Sequence, residues 1–105
     1  MQNPLNGPIE VEVGQEFTIT LESRPTTGFR WRFRDPLDEE ILELVGSEYK
    51  GPDGERIGAG GEEVWTFRAV SRGTTRVALS YERPWEENVP PEKTRTFAVV
   101  VGPRS

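Results

Sequence analysis

Seven runs of alternating apolar and polar residues, turn-forming residues between them and no marked helical periodicity predict an all-β fold. The expected architecture is an immunoglobulin-like antiparallel β-sandwich of about seven to eight strands. A period of two places every second side chain on the same face of a strand, so each run buries one face and wets the other. Short strands spaced through 105 residues suit two packed layers around one core, and residues 1–105 are expected to form a single domain.

The elements follow in order. Ile9, Val11 and Val13 alternate with glutamates, and Phe17, Ile19 and Leu21 alternate with polar or threonine positions. Phe29, Trp31 and Phe33 alternate with Arg30, Arg32 and Arg34, which read as a solvated strand face opposite glutamates and require no nucleic-acid role. The run Ile41-Leu42-Glu43-Leu44-Val45 also fits a short helix, but its β-branched and aromatic neighbourhood up to Tyr49 favours a strand. Trp65, Phe67 and Ala69 come next, then Val77, Leu79 and Tyr81, and last Phe97, Val99 and Val101. Turn chemistry separates the runs at Gly14-Gln15, Asp35-Pro36, Gly51-Pro52-Asp53-Gly54 and Arg72-Gly73. The Cys–Trp–Cys signature of antibody domains is absent, so the core rests on aromatic and branched side chains. Phe17, Trp31, Phe67 and Phe97 are expected inside, each contributing roughly 2–3 kcal/mol at most by burial. Trp65, in its alternating run, is also expected in the core.

Composition narrows the function. Only 33% of residues are hydrophobic against 30% charged, so the interior is thin. With 13 Lys and Arg against 18 Asp and Glu the net charge is −5. Such a chain gains nothing from counterion release on nucleic acid or from an anionic bilayer, and neither is expected as a partner. No Cys and no His occur, which excludes thiol nucleophiles, disulfides, thiolate metal sites, Ser–His triads and imidazole-based zinc or copper centres. No cofactor, no metal and no catalytic residues are expected. Glu62 and Glu63 are adjacent, and neighbours on a strand point to opposite faces, which spoils a paired-carboxylate glycosidase. The chain reads as a binder, not an enzyme. No stretch approaches the ~20 apolar residues that cross a bilayer. Met1-Gln2-Asn3-Pro4-Leu5 carries no signal-peptide pattern. Absence of cysteine fits the cytosol, and fits equally a secreted chain whose leader has been removed, so the compartment stays open.

The connections carry the strongest functional signal. If strand direction reverses at each connection, the odd-numbered ones share one end of the sandwich and the even-numbered ones the other. The odd ones are plain: Gly14-Gln15, the acidic stretch from Asp35 to Glu40, and Ser71-Arg72-Gly73-Thr74. The even ones are unusual. The second is Arg24-Pro25-Thr26-Thr27-Gly28, which Pro25 and the stiff threonines make rigid, with Gly28 free to take a positive φ before Phe29; alone it also reads as a plain capped turn. The fourth runs from Lys50 to Gly61 through Gly58-Ala59-Gly60-Gly61, where bare backbone lets another backbone approach; a flexible connector or a phosphate cradle would look similar, although no Lys and no helix follow. The sixth runs from Arg83-Pro84-Trp85 to Glu92, with Trp85 either folded back on the core or exposed as an anchor. All the peculiar sequence gathers at one pole, where antibody variable domains carry their binding loops.

Together, Pro25-Thr26-Thr27-Gly28-Phe29, Gly58-Ala59-Gly60-Gly61 and Arg83-Pro84-Trp85 resemble, in order and spacing, the signature loops of chagasin-type inhibitors of papain-like cysteine proteases. Arg24 departs from the pattern, which usually has Asn there. The resemblance implies a monomeric, reversible, tight-binding inhibitor of a papain-like, cathepsin-like cysteine protease, whose loops at 24–29, 50–61 and 83–92 wedge into the active-site cleft without being cleaved. It implies that Arg24, Pro25, Thr26, Thr27, Gly28, Phe29, Gly58, Ala59, Gly60, Gly61, Arg83, Pro84 and Trp85 form the protease-binding surface. The Thr26-Thr27 tip would lie over the catalytic cysteine and histidine. Gly60 and Gly61 would run along the non-primed side, and Trp85 would pack on the primed side. The alternative is a non-inhibitory β-sandwich module that recognises a carbohydrate or protein ligand through the same loops, for example by stacking sugars on Trp85 and Tyr81.

Overall fold

Period-two alternation resolves into seven strands: β1 (Ile9–Glu12), β2 (Glu16–Ser23), β3 (Arg30–Phe33), β4 (Leu42–Lys50), β5 (Gly61–Ala69), β6 (Gly73–Glu82) and β7 (Lys93–Gly102). They are those of a computed structural model that describes residues 8–24, 28–51, 61–86 and 88–104. Among the described residues there is no helix, and Leu42–Val45 of the ambiguous run enters β4, as its β-branched neighbourhood led one to expect, while Ile41 closes the turn before it.

Two sheets form, one in the order β1-β7-β6-β3 and the other in the order β2-β5-β4. The chain crosses between them after β1, β2, β3 and β5, while β4–β5 and β6–β7 are hairpin pairs within a sheet. Direction therefore reverses at every connection. Each pair is antiparallel except β1 with β7, where Ile9 lies opposite Val99 and Val11 opposite Val101 in parallel register. Two odd-numbered strands must run the same way in such a sandwich, so this parallel pair follows from the alternation.

Inward faces of both sheets supply the core: Trp31, Val77, Leu79, Tyr81, Val99 and Val101 from one, Ile19, Leu21, Leu42, Trp65, Phe67 and Ala69 from the other. Phe67, Leu42, Leu79, Val77 and Val99 are fully enclosed. Phe33 sets its ring edge-on to Trp65 at 5.3 Å and to Phe67 at 6.4 Å, tying β3 of one sheet to β5 of the other. Of the four aromatic residues expected inside, Trp31 and Phe67 are buried, but Phe17 and Phe97 are only half-buried. Phe17 stands on the edge strand β2, covered on one side by Phe67 at 5.5 Å. Phe97 lies before the stretch of β7 that β1 pairs with, which begins at Val99. Both are partly open because strand length and sheet order set burial, and alternation reports only the face.

On the outer face of the three-stranded sheet Arg68 bridges Glu16 (2.9 Å) and Glu43 (3.3 Å) across three strands. The hydrogen bond with Glu16, followed by the charge of Glu43, pushes the Arg68 guanidinium pKa further up. The site is exposed, so the pairs contribute little to stability.

Candidate functional site

The odd-numbered connections close one pole of the sandwich. The Gly14 N–H donates to the Ala69 carbonyl, the Ala69 N–H to the Gln15 carbonyl, and the Val70 N–H to the Ile41 carbonyl, knitting the first, third and fifth turns together. At the opposite pole the second and sixth connections meet, and the strands flanking the fourth end beside them. The sharing of one pole expected from alternation is what the strand directions produce.

The second connection is gripped at both stems. Its incoming residue, Arg24, donates its backbone N–H to the Tyr81 hydroxyl at 2.9 Å. Just before it, Trp31 donates its indole N–H to the Glu22 carbonyl at 2.7 Å. On the outgoing side Gly28 takes a φ of +85°, a conformation that a Cβ disfavours. A Cβ there would also run into the six-membered ring of Trp85. Gly28 thus answers two demands at once, a left-handed turn and the close seating of a tryptophan. The half-buried Phe29 follows, stacked on Tyr81 at 5.2 Å and capped on its other side by the Arg83 guanidinium at 4.4 Å. Pro25, Thr26 and Thr27, expected at the tip of this loop, lie outside the described residues.

In the sixth connection Arg83 is half-buried between Phe29 and Glu86, whose carboxylate is 3.4 Å away. Pro84 is exposed, and Trp85 is 65% exposed while its ring covers Gly28. Of the two readings of Trp85, the interior one is excluded and the exposed one stands. The connection ends where the Glu92 N–H donates to the Tyr81 carbonyl and Lys93 pairs with Glu22 at 3.3 Å. Second and sixth connections are therefore one packed unit, joined through Gly28–Trp85, Phe29–Arg83 and Arg24–Tyr81.

Of the glycine-rich fourth connection, Gly58, Ala59 and Gly60 lie outside the described residues, and Gly61 opens β5. A Cβ on Gly61 would collide with the Lys50 carbonyl and the Tyr49 ring, so the fold itself requires a glycine there. Between the stems of the second and fourth connections lies a cleft of about 590 Å³, lined by Glu22, Ser23, Arg24, Lys50, Gly51, Gly61 and Glu62. Its rim carries charges of both signs.

Two residues have roles that the sequence reading did not give them. Tyr81 reads as an ordinary inward position of β6, yet it touches the stems of both neighbouring loops; its place at the end of the strand, two residues before Arg83-Pro84, is the signal that could have found it. Glu63 points inward, accepting from Ser23 Oγ at 2.9 Å and Trp65 Nε1 at 3.0 Å, while Glu62 lies exposed on the other face. The two carboxylates diverge as strand neighbours should. Among the described residues no group of three or more His, Cys, Asp or Glu could hold a metal ion.

A sandwich that gathers a positive-φ glycine, a cation-capped aromatic and an exposed tryptophan on one pole is a loop-presenting binding protein. Comparison with known proteins makes the class definite. Residues 10–101 match the model of the chagasin family, peptidase inhibitor I42. Chagasin of Trypanosoma cruzi is 40% identical over 80 residues, covering 73% of this chain and 73% of that protein. Two solved structures share the fold. One is the Leishmania mexicana ICP, with 30% identity, a TM-score of 0.62 and coverage of 92% of this chain and 90% of that one. The other is the cysteine protease inhibitor EhICP2 of Entamoeba histolytica, with 23% identity, a TM-score of 0.75 and coverage of 90% and 88%. The chain belongs to the chagasin family of peptidase inhibitors, and it is not an enzyme.

Proposed function

We propose that this peptidase inhibitor acts on papain-like cysteine proteases, closing their active-site cleft with the loops at 24–29, 50–61 and 83–92. The observation that carries the reading is the seat of Trp85 on Gly28: an exposed aromatic anchor is locked to the outgoing stem of the Pro-Thr-Thr-Gly loop. Two chemically different loops thereby act as one edge.

An inhibitor that survives contact with a thiolate must fill the cleft without offering a peptide carbonyl in line at attack distance. A tip held by Pro25 and Gly28 can present the Thr26 and Thr27 hydroxyls to the catalytic pair while its backbone stays out of register. Stems fixed by Tyr81 and Phe29 lower the ordering cost on association. Trp85 supplies a large apolar surface whose truncation costs roughly 2–4 kcal/mol at the centre of an interface. Gly60 and Gly61 leave backbone for the enzyme to approach, and the chain works as a monomer without cofactor, nucleic acid or membrane. With no His in the sequence, no imidazole of the inhibitor titrates as the medium turns mildly acidic. A sugar-stacking module is not favoured, because Tyr81, the second platform it needs, is only 5% exposed.

Competition tests the reading. Papain whose active-site thiol carries a bulky peptidyl label should lose affinity for this protein relative to the unlabelled enzyme. Equal affinity for both forms would place the contact elsewhere on the protease.

A further inference from the structure

We infer that Tyr81 is a positioning residue for inhibition: it holds the second and sixth loops in their binding arrangement and itself stays beneath the contact surface. The inference rests on the function proposed above. Tyr81 sits at the end of β6 and is 5% exposed, so no partner can lean on its ring. Its hydroxyl accepts the backbone N–H of Arg24 at 2.9 Å, fixing the incoming stem of the second loop. Its ring stacks on Phe29 at 5.2 Å, fixing the outgoing stem, and packs tilted against Trp31 at 4.9 Å, which anchors it in the core. Its own carbonyl accepts the Glu92 N–H, where the sixth loop returns to the sheet. Arg83 caps the far side of Phe29 at 4.4 Å, so the start of the sixth loop rests on the same stack.

The hydroxyl is the separable part of this arrangement. A buried phenol on an apolar stack normally finds a partner, and here the partner is the amide that opens the loop. That amide belongs to the backbone, so it is present whatever side chain stands at position 24. Arg24, which replaces the Asn usual in the family pattern, therefore leaves the grip on this stem intact. A loop held in its competent arrangement binds with its intrinsic affinity, and one that samples others binds more weakly by the competent fraction.

Tyr81→Phe removes the hydroxyl while keeping the ring, its stacking and the strand, and so folds. In amide hydrogen exchange the Arg24 N–H of the variant should lose protection, while amides of the β6–β7 ladder keep theirs. Against a papain-like protease the inhibition constant should rise roughly fivefold, the ratio expected for one net hydrogen bond. The unfolding midpoint should fall by only a few degrees, as the loss of one net hydrogen bond from a domain of this size gives. A merely structural tyrosine would lower the midpoint and leave the inhibition constant alone, and that result overturns the inference. So does unchanged exchange at Arg24, which is read without any protease. If the parent protein inhibited no papain-like enzyme, the proposed function would fall, and exchange at Arg24 would still decide whether Tyr81 holds the stem.

Discussion

Trp85 and Gly28 show how two residues with opposite properties make one feature. The tryptophan brings area, and the glycine's lack of a side chain lets the ring approach the loop closely. Trp85 was legible beside Pro84 and Gly28 at the end of the Pro-Thr-Thr-Gly run, but their contact was not, because 57 positions separate them in the chain. Two outcomes follow. Trp85→Ala should weaken inhibition at least about tenfold and leave the thermal midpoint nearly unchanged, since the ring is mostly in water; inhibition assays paired with calorimetry check both. Gly28→Val puts a β-branched residue at a φ of +85° and drives its side chain into Trp85. Tryptophan emission reports the displacement, because Trp31 and Trp65 are buried and Trp85 supplies the solvent-exposed component. A red-shifted component that changes together with weakened inhibition is the expected pair of observations.

Strands were readable because alternation is a local property, and all seven apolar runs became strands. Depth of burial was not, since it depends on which strands are neighbours. Phe97 stays partly open because β1 pairs with β7 only from Val99 onward. The glycine-rich element adds a different lesson. Gly61 was read as bare backbone for a partner to approach, and the fold demands it independently, with the Lys50 carbonyl and Tyr49 occupying the place of a side chain. Gly61→Val should therefore cost stability, on the order of 1–3 kcal/mol in urea denaturation, through overpacking at the β4–β5 junction. A substitution there that left stability intact would show that the junction yields more readily than its geometry implies. The loop tips at 25–27 and 52–60 lie outside the described residues, and their role rests on the sequence pattern and on the stems that present them.

At the scale of the whole molecule, the pole that carries the unusual loops follows from counting connections, and the count succeeds because direction reverses at each one, down to the parallel pairing of β1 with β7. Absence of Cys and His removes most catalytic chemistry at the level of composition, and the chagasin family match agrees with a molecule that blocks and does not react. The scaffold's rigidity comes from the enclosed inter-sheet core around Phe67. Phe67→Ala should lower the unfolding free energy by about 3–5 kcal/mol in urea denaturation. The loops' common placement is expected to hold only while that core does. Titration of an active-site-counted papain-like protease with the purified protein tests the central claim most directly. Activity should fall linearly to zero at one inhibitor per enzyme, return on dilution, and leave the inhibitor chain uncut by mass spectrometry. Undiminished activity at a large excess of inhibitor, or steady cleavage of the chain during incubation, would contradict it.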